Sequence, residues 1–103
     1  MKRRLCAVAD LPEGAARVFD VDGVPLAAAR SGAAVFVVEN RCSHDDGPLG
    51  EGRVLGAEIE CPRHGARFDL ASGRATRMPA VAPIETFPAT IDGIDVFVEM
   101  PEL

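Results

Sequence analysis

Both histidines of the chain and two of its three cysteines fall in two short segments, Cys42-Ser43-His44 and Cys61-Pro62-Arg63-His64, separated by residues 45–60. Thiolate and neutral imidazole are metal ligands, and each segment supplies one of each. In extended backbone, positions i and i+2 point to the same side, so Cys42 and His44 can face one centre. Cys61 and His64, three apart with Pro62 between them, can converge from a tight turn. A lone Cys or His is more often a core or surface residue than a ligand. Four at this spacing, using every histidine of the chain, are not explained that way. A Cys₂His₂ set suits tetrahedral zinc or an iron–sulfur cluster with mixed ligation. Zinc fingers pair like ligands along the sequence, whereas a [2Fe–2S] centre with two Cys on one iron and two His on the other is served evenly by two mixed segments. The pattern favours iron–sulfur and keeps zinc as the alternative.

Two loops must present these ligands, and the rest of the chain reads as the β-strands that hold them. Leu5 to Ala9 is predicted as a strand ended by Leu11-Pro12-Glu13-Gly14. Arg17 to Val21 alternates and meets Asp22-Gly23, a hairpin signal, with Val24 to Arg30 returning. Ala27-Ala28-Ala29 would suit a helix by propensity alone, but turns on both sides favour a strand. Ala33 to Glu39 carries the apolar run Val35-Phe36-Val37-Val38 of a buried strand. From Asn40 to Gly56 the chain turns polar and glycine-rich, a loop long enough to suggest function. A short strand around Ile59 leads into the second ligand segment, and Arg67 to Leu70 reads as extended. Ile84 to Ile91 and Ile94 to Glu99 read as a closing hairpin across Asp92-Gly93. An all-β fold is expected, an antiparallel sandwich or barrel with both loops at one end.

Composition narrows the function. At 103 residues the chain has the size of one domain, and 48% hydrophobic with 26% charged residues is ordinary for a folded protein. A net charge of −5 argues against a nucleic-acid partner. No apolar run approaches the roughly 20 residues of a membrane span, and the stretch after Lys2-Arg3-Arg4 is too short for a signal peptide. An odd number of cysteines fits a reducing compartment, so a cytoplasmic location is expected. Cys6, in the first strand, reads as a small core residue.

The segments Cys42-Ser43-His44-Asp45-Asp46-Gly47-Pro48-Leu49 and Cys61-Pro62-Arg63-His64-Gly65-Ala66-Arg67-Phe68-Asp69 resemble the two cluster loops of the Rieske family. The resemblance is specific over Asn40 to Ala82 and plausible over the whole chain. It implies a single domain, 1–103, with a cluster-binding subdomain at about 40–82 inserted in a β base. It implies one [2Fe–2S] cluster bound by Cys42 and Cys61 on the inner iron and by His44 and His64 on the outer iron. The segment Met78-Pro79-Ala80-Val81-Ala82-Pro83 matches the position of the family's third loop. Rieske proteins of cytochrome complexes add a disulfide between the loops; Gly47 and Arg63 stand at those positions, so none can form. They also place hydroxyls where Ala66 and Phe68 stand here. Fewer donors to sulfur imply a reduction potential near the bottom of the Rieske range, about −150 mV.

The similarity is greatest to ferredoxin components of bacterial ring-hydroxylating dioxygenases, which take electrons from a flavoprotein reductase and give them to a terminal oxygenase. The implied role is a carrier, not an enzyme, because oxygen activation needs a separate mononuclear iron and no third histidine exists to bind it. Gly47 and Gly65 read either as places of close backbone approach or as ordinary turn glycines. Asp45, Asp46 and Glu51 read as solvated loop charges or as groups that steer partners. Other functions stay open on the residues alone: a carrier for iron–sulfur assembly or nitrogen metabolism, a structural zinc module, and a redox sensor.

Overall fold

The computed structural model describes residues 1–101. Among them there is no α-helix, and no helix long and apolar enough to cross a membrane; one 3₁₀ turn, Val8–Asp10, is the only helical element. Eleven strands follow in order: β1 Lys2–Ala7, β2 Ala16–Val21, β3 Val24–Ser31, β4 Ala34–Glu39, β5 Val54–Leu55, β6 Glu58–Glu60, β7 Arg67–Asp69, β8 Ala75–Arg77, β9 Thr86–Phe87, β10 Ala89–Asp92 and β11 Asp95–Glu99. They form three antiparallel sheets, β1-β11-β10, β2-β3-β4-β9 and β5-β6-β7-β8. The fold is all-β, as the sequence predicts.

The second sheet is central, and its period-2 alternation feeds two cores. Leu26, Ala28 and Val37 face Cys6, Leu11, Val96 and Val98 of the β1-β11-β10 side. Ala27, Ala29 and Val38 face Ile59, Phe68, Leu70 and both loop cysteines. Ala27, Ala28 and Ala29 are all essentially inaccessible. Strand β3 is covered on both faces, and small side chains let both layers approach it. That environment overrides alanine's preference for helix. Cys6 is buried at 4% exposure in the first of these cores, as expected for a core residue.

Several boundaries differ from the sequence reading. The first strand starts at Lys2 because β11 offers it a ladder from Lys2↔Glu99 to Ala7↔Asp95, interrupted by a register shift at Leu5, and Val8–Asp10 turns instead of extending it. The stretch from Ile84 to Ile91 is not one strand. Pro88 cannot donate to a ladder, and it divides β9, which pairs with β4, from β10, which pairs with β11. Strands β5 and β8, two and three residues long, are too short to show an alternation in the sequence.

Gly73 fastens the β7–β8 turn to the segment entering β9. Its carbonyl accepts Ile84 N–H at 2.8 Å, its φ is +79°, and a Cβ there would meet Ile84 O at 2.1 Å. Gly32, at φ +61°, has open space around it. Gly73→Ala is therefore expected to cost about 2–4 kcal/mol, from backbone strain and forced displacement together. Gly32→Ala should cost only about 1–2 kcal/mol. Urea unfolding of the two variants side by side checks the difference.

Candidate metal centre

The first loop follows β4, and the second joins β6 to β7. Their backbones close in the same way. Cys42 N–H donates to Gly47 O at 2.7 Å, and Asp46 N–H donates to Cys42 O at 2.8 Å. Cys61 N–H donates to Ala66 O at 2.7 Å, and Gly65 N–H donates to Cys61 O at 3.1 Å. Counted from each cysteine, the bonds fall at the fourth and fifth following residues. The fourth is left-handed in both loops, Asp46 at φ 60° and Gly65 at φ 74°. Glycine enters that region freely, and Asp does so more readily than most residues. Gly65 is thus favoured by conformation, and nothing lies within 4 Å of where its Cβ would be. Gly47, by contrast, is crowded: a Cβ there would lie 3.0 Å from both Arg63 Cδ and Asp45 Oδ1.

Paired turns bring the four sequence-predicted residues to one place. Cys42 and Cys61 are buried, at 0% and 1% exposure, in one core with Leu49, Ala66, Phe68 and Ala80. Their sulfurs and a carboxylate oxygen of Asp45 all lie within 4.8 Å of one another. Burial pushes the Cys42 thiol up, and the Cys61 thiol beside it adds to the rise. His44 and His64 are exposed, with ring centroids 5.4 Å apart in an edge-to-face arrangement. His64 Nδ1 lies 3.4 Å from Asp45 Oδ2. The cysteines are inside and the histidines outside, one of each from each loop. This donor set fits a mixed-ligand [2Fe–2S] cluster: the two buried sulfurs are adjacent soft donors, and a metal binding them as thiolates would supply the positive charge that burial demands.

Asp45 is not the solvated charge that its sequence context suggests. Its side chain is 16% exposed, its Oδ1 accepts Gly47 N–H at 2.9 Å, and Arg63 Nε lies 3.2 Å from its Oδ2. The Gly47 N–H first, and then the charge of Arg63, hold its carboxyl below the usual range. Asp46 pairs with Arg41, which also reaches Glu39 at 2.9 Å. Acidic and basic groups of the loops cancel locally instead of building a one-signed field. An Asp two residues before Gly is a turn signal visible in sequence, but its partner Arg63 is not.

The proline segment is tied to the first loop, since Ser43 Oγ donates to Ala82 O at 2.6 Å and Ala80 is buried in the same core as the cysteines. Met78 and Val81, at 74% and 82% exposure, leave apolar surface on this segment. Around the second loop, Ala66 and Phe68 are fully buried and carry no hydroxyl.

A profile of the Rieske [2Fe–2S] domain matches residues 2–88. The ferredoxin subunit of 3-phenylpropionate/cinnamic acid dioxygenase from Escherichia coli (strain K12) is 39% identical over 98 residues, covering 94% of this chain and 92% of that protein. The ferredoxin of carbazole 1,9a-dioxygenase from Nocardioides aromaticivorans IC177 superposes with a TM-score of 0.90 at 34% identity, covering 95% of this chain and 96% of the other. A complex of reduced oxygenase and oxidized ferredoxin in carbazole 1,9a-dioxygenase gives a TM-score of 0.87 at 32% identity, over 94% of this chain and 91% of the matched one.

Because Gly65 is favoured for its φ alone, Gly65→Ala should lower stability by about 1–2 kcal/mol, and Gly65→Asn by less. Thermal unfolding of the two variants against the parent protein measures the order.

Proposed function

This chain belongs to the Rieske [2Fe–2S] family, and on that premise we propose that Cys42, His44, Cys61 and His64 are the ligands of its cluster. The observation that carries the assignment is the pair of matched turns, each offering one buried thiol and one exposed imidazole. When bound, the cluster supplies a one-electron redox centre. Cys42 and Cys61 hold the inner side as thiolates and shield it from water with Leu49, Phe68 and Ala80. His44 and His64 hold the outer side and form the face at which a partner makes contact.

The protein is an electron carrier of the ferredoxin type and not itself a catalyst. Its only two histidines are both in the loops, which leaves none for a separate oxygen-activating iron. We read its partners as a flavoprotein reductase on the donor side and a terminal oxygenase on the acceptor side; the oxygenase–ferredoxin complex of carbazole 1,9a-dioxygenase supports the second. Exposed Met78 and Val81 beside the loops would give such a contact an apolar component. We take residues 1–103 as one domain with a cluster-binding subdomain over about 40–82, a reading supported by the four-stranded sheet that runs from Val54 to Arg77 within that range. We read the location as cytoplasmic, because three cysteines, an odd number, fit a reducing compartment better than a disulfide framework.

Low-temperature EPR of the dithionite-reduced protein, with iron and sulfide assays, tests the ligand assignment. Two irons, two sulfides and a rhombic signal of low average g are expected. A colourless protein holding one zinc after expression in ample iron would reverse it.

With Ala66 and Phe68 offering no hydroxyl and Ser43 already bonded to Ala82 O, the midpoint potential is expected near −150 mV. Ala66→Ser should raise it. Protein-film voltammetry gives both values, and a parent potential well above zero would contradict the account.

A further inference from the structure

Besides their backbone turns and shared core, the two loops meet through side chains on the outer side: the His44 and His64 rings lie edge to face, and Asp45 reaches both His64 and Arg63. Arg63 Nε of the second loop lies 3.2 Å from Asp45 Oδ2 of the first. The aliphatic part of Arg63 runs so close to Gly47 that a Cβ there would stand 3.0 Å from Arg63 Cδ. Asp45 is anchored to its own loop through Oδ1 and the Gly47 N–H. An acid already fixed by its backbone has less side-chain freedom to lose when it pairs. Its side chain is 16% exposed against 61% for Arg63, so solvent and salt screen this pair less than one wholly at the surface. Asp45 Oδ2 accepts no well-directed hydrogen bond among the described residues, which leaves charge as the main tie.

We propose that the Asp45–Arg63 pair is the clasp that sets the spacing of the two loops, and that both are positioning residues for the cluster. The proposal rests on the ligand assignment made above. Asp45 directly follows His44, and Arg63 directly precedes His64. The buried cysteines are already brought together by the core, whereas the exposed histidines lie outside it, and among the described residues the Asp45–Arg63 pair is the full-charge ion pair that joins their two loops. Gly47 belongs to the clasp as well, because the space of its missing Cβ is where Arg63 passes.

The test uses the cluster-loaded protein and four variants: Asp45→Asn, Arg63→Gln, the two combined, and Arg63→Lys. Asp45→Asn keeps an acceptor for Gly47 N–H and removes only the charge. Release of iron to a chelator, followed by visible absorbance, should quicken about three- to tenfold in each single variant. The double variant should be no faster than the faster single one, and Arg63→Lys should recover part of the loss. Added salt should quicken release from the parent protein and leave the double variant unchanged. The midpoint potential should rise in Asp45→Asn, fall in Arg63→Gln and return toward the parent value in the double variant, a pattern that general loosening does not produce. If a single variant fails to fold, the Arg63→Lys comparison and the salt dependence of the parent protein decide the matter. Unchanged release in both single variants, or effects that simply add in the double, would overturn the clasp. A parent protein that takes up no cluster would overturn the ligand assignment instead.

Discussion

Two thiols buried side by side among apolar side chains set the terms for the rest of the molecule. Water is excluded from Cys42 and Cys61, and burial pushes the Cys42 thiol up, toward its neutral form. They become useful donors only if a metal replaces the lost solvation, and only if the surrounding core keeps its shape while they wait for it. Phe68, Leu49, Ala66 and Ala80 make that core, and the alternating faces of the central sheet extend it inward through Ala27, Ala29 and Val38. Sulfur on the inside and imidazole on the surface follow from where the two turns stand on this core.

The sheets explain why so short a chain can carry such a site. Strand β3 is the shared floor of two cores, and its three consecutive alanines suit it to both. Larger residues there would push apart the layer that bears the cysteines and the layer that closes the other face. Pro88 lets the chain leave one sheet and enter another without a long connection. Gly73 and Ser43 then bind the returning proline segment to the turn beyond β7 and to the first loop.

Much of this was readable in the amino-acid order, for identifiable reasons. Ligand chemistry is carried by residue type, so Cys42, His44, Cys61 and His64 stood out before any geometry. Hairpins at Asp22-Gly23 and Asp92-Gly93 announce themselves because few residues accept their backbone angles. What escaped was non-local or too short to show a period. Strands β5 and β8 exist because β6 and β7 offer them a ladder. The division at Pro88 depends on which sheet each half finds. Asp45 looked solvated because Arg63, eighteen positions later in the sequence, is invisible until the loops meet. Their meeting also gives sense to the missing disulfide. Gly47 and Arg63 occupy the positions of its cysteines in the cytochrome-complex branch, and here they are in contact without a covalent bond.

The matched turns bear on the speed of electron exchange as well as on binding. Each cysteine's own N–H and carbonyl are fixed within its loop, at 2.7 and 2.8 Å in the first and 2.7 and 3.1 Å in the second. Dipoles oriented in advance have little rotation left to make when the charge between them changes by one electron. In the language of electron-transfer kinetics, if the proposed ligands hold the cluster, these fixed groups would contribute a small reorganisation energy. The barrier would then lie more in the water at the exposed histidine face, and in the distance and driving force to whatever docks against it.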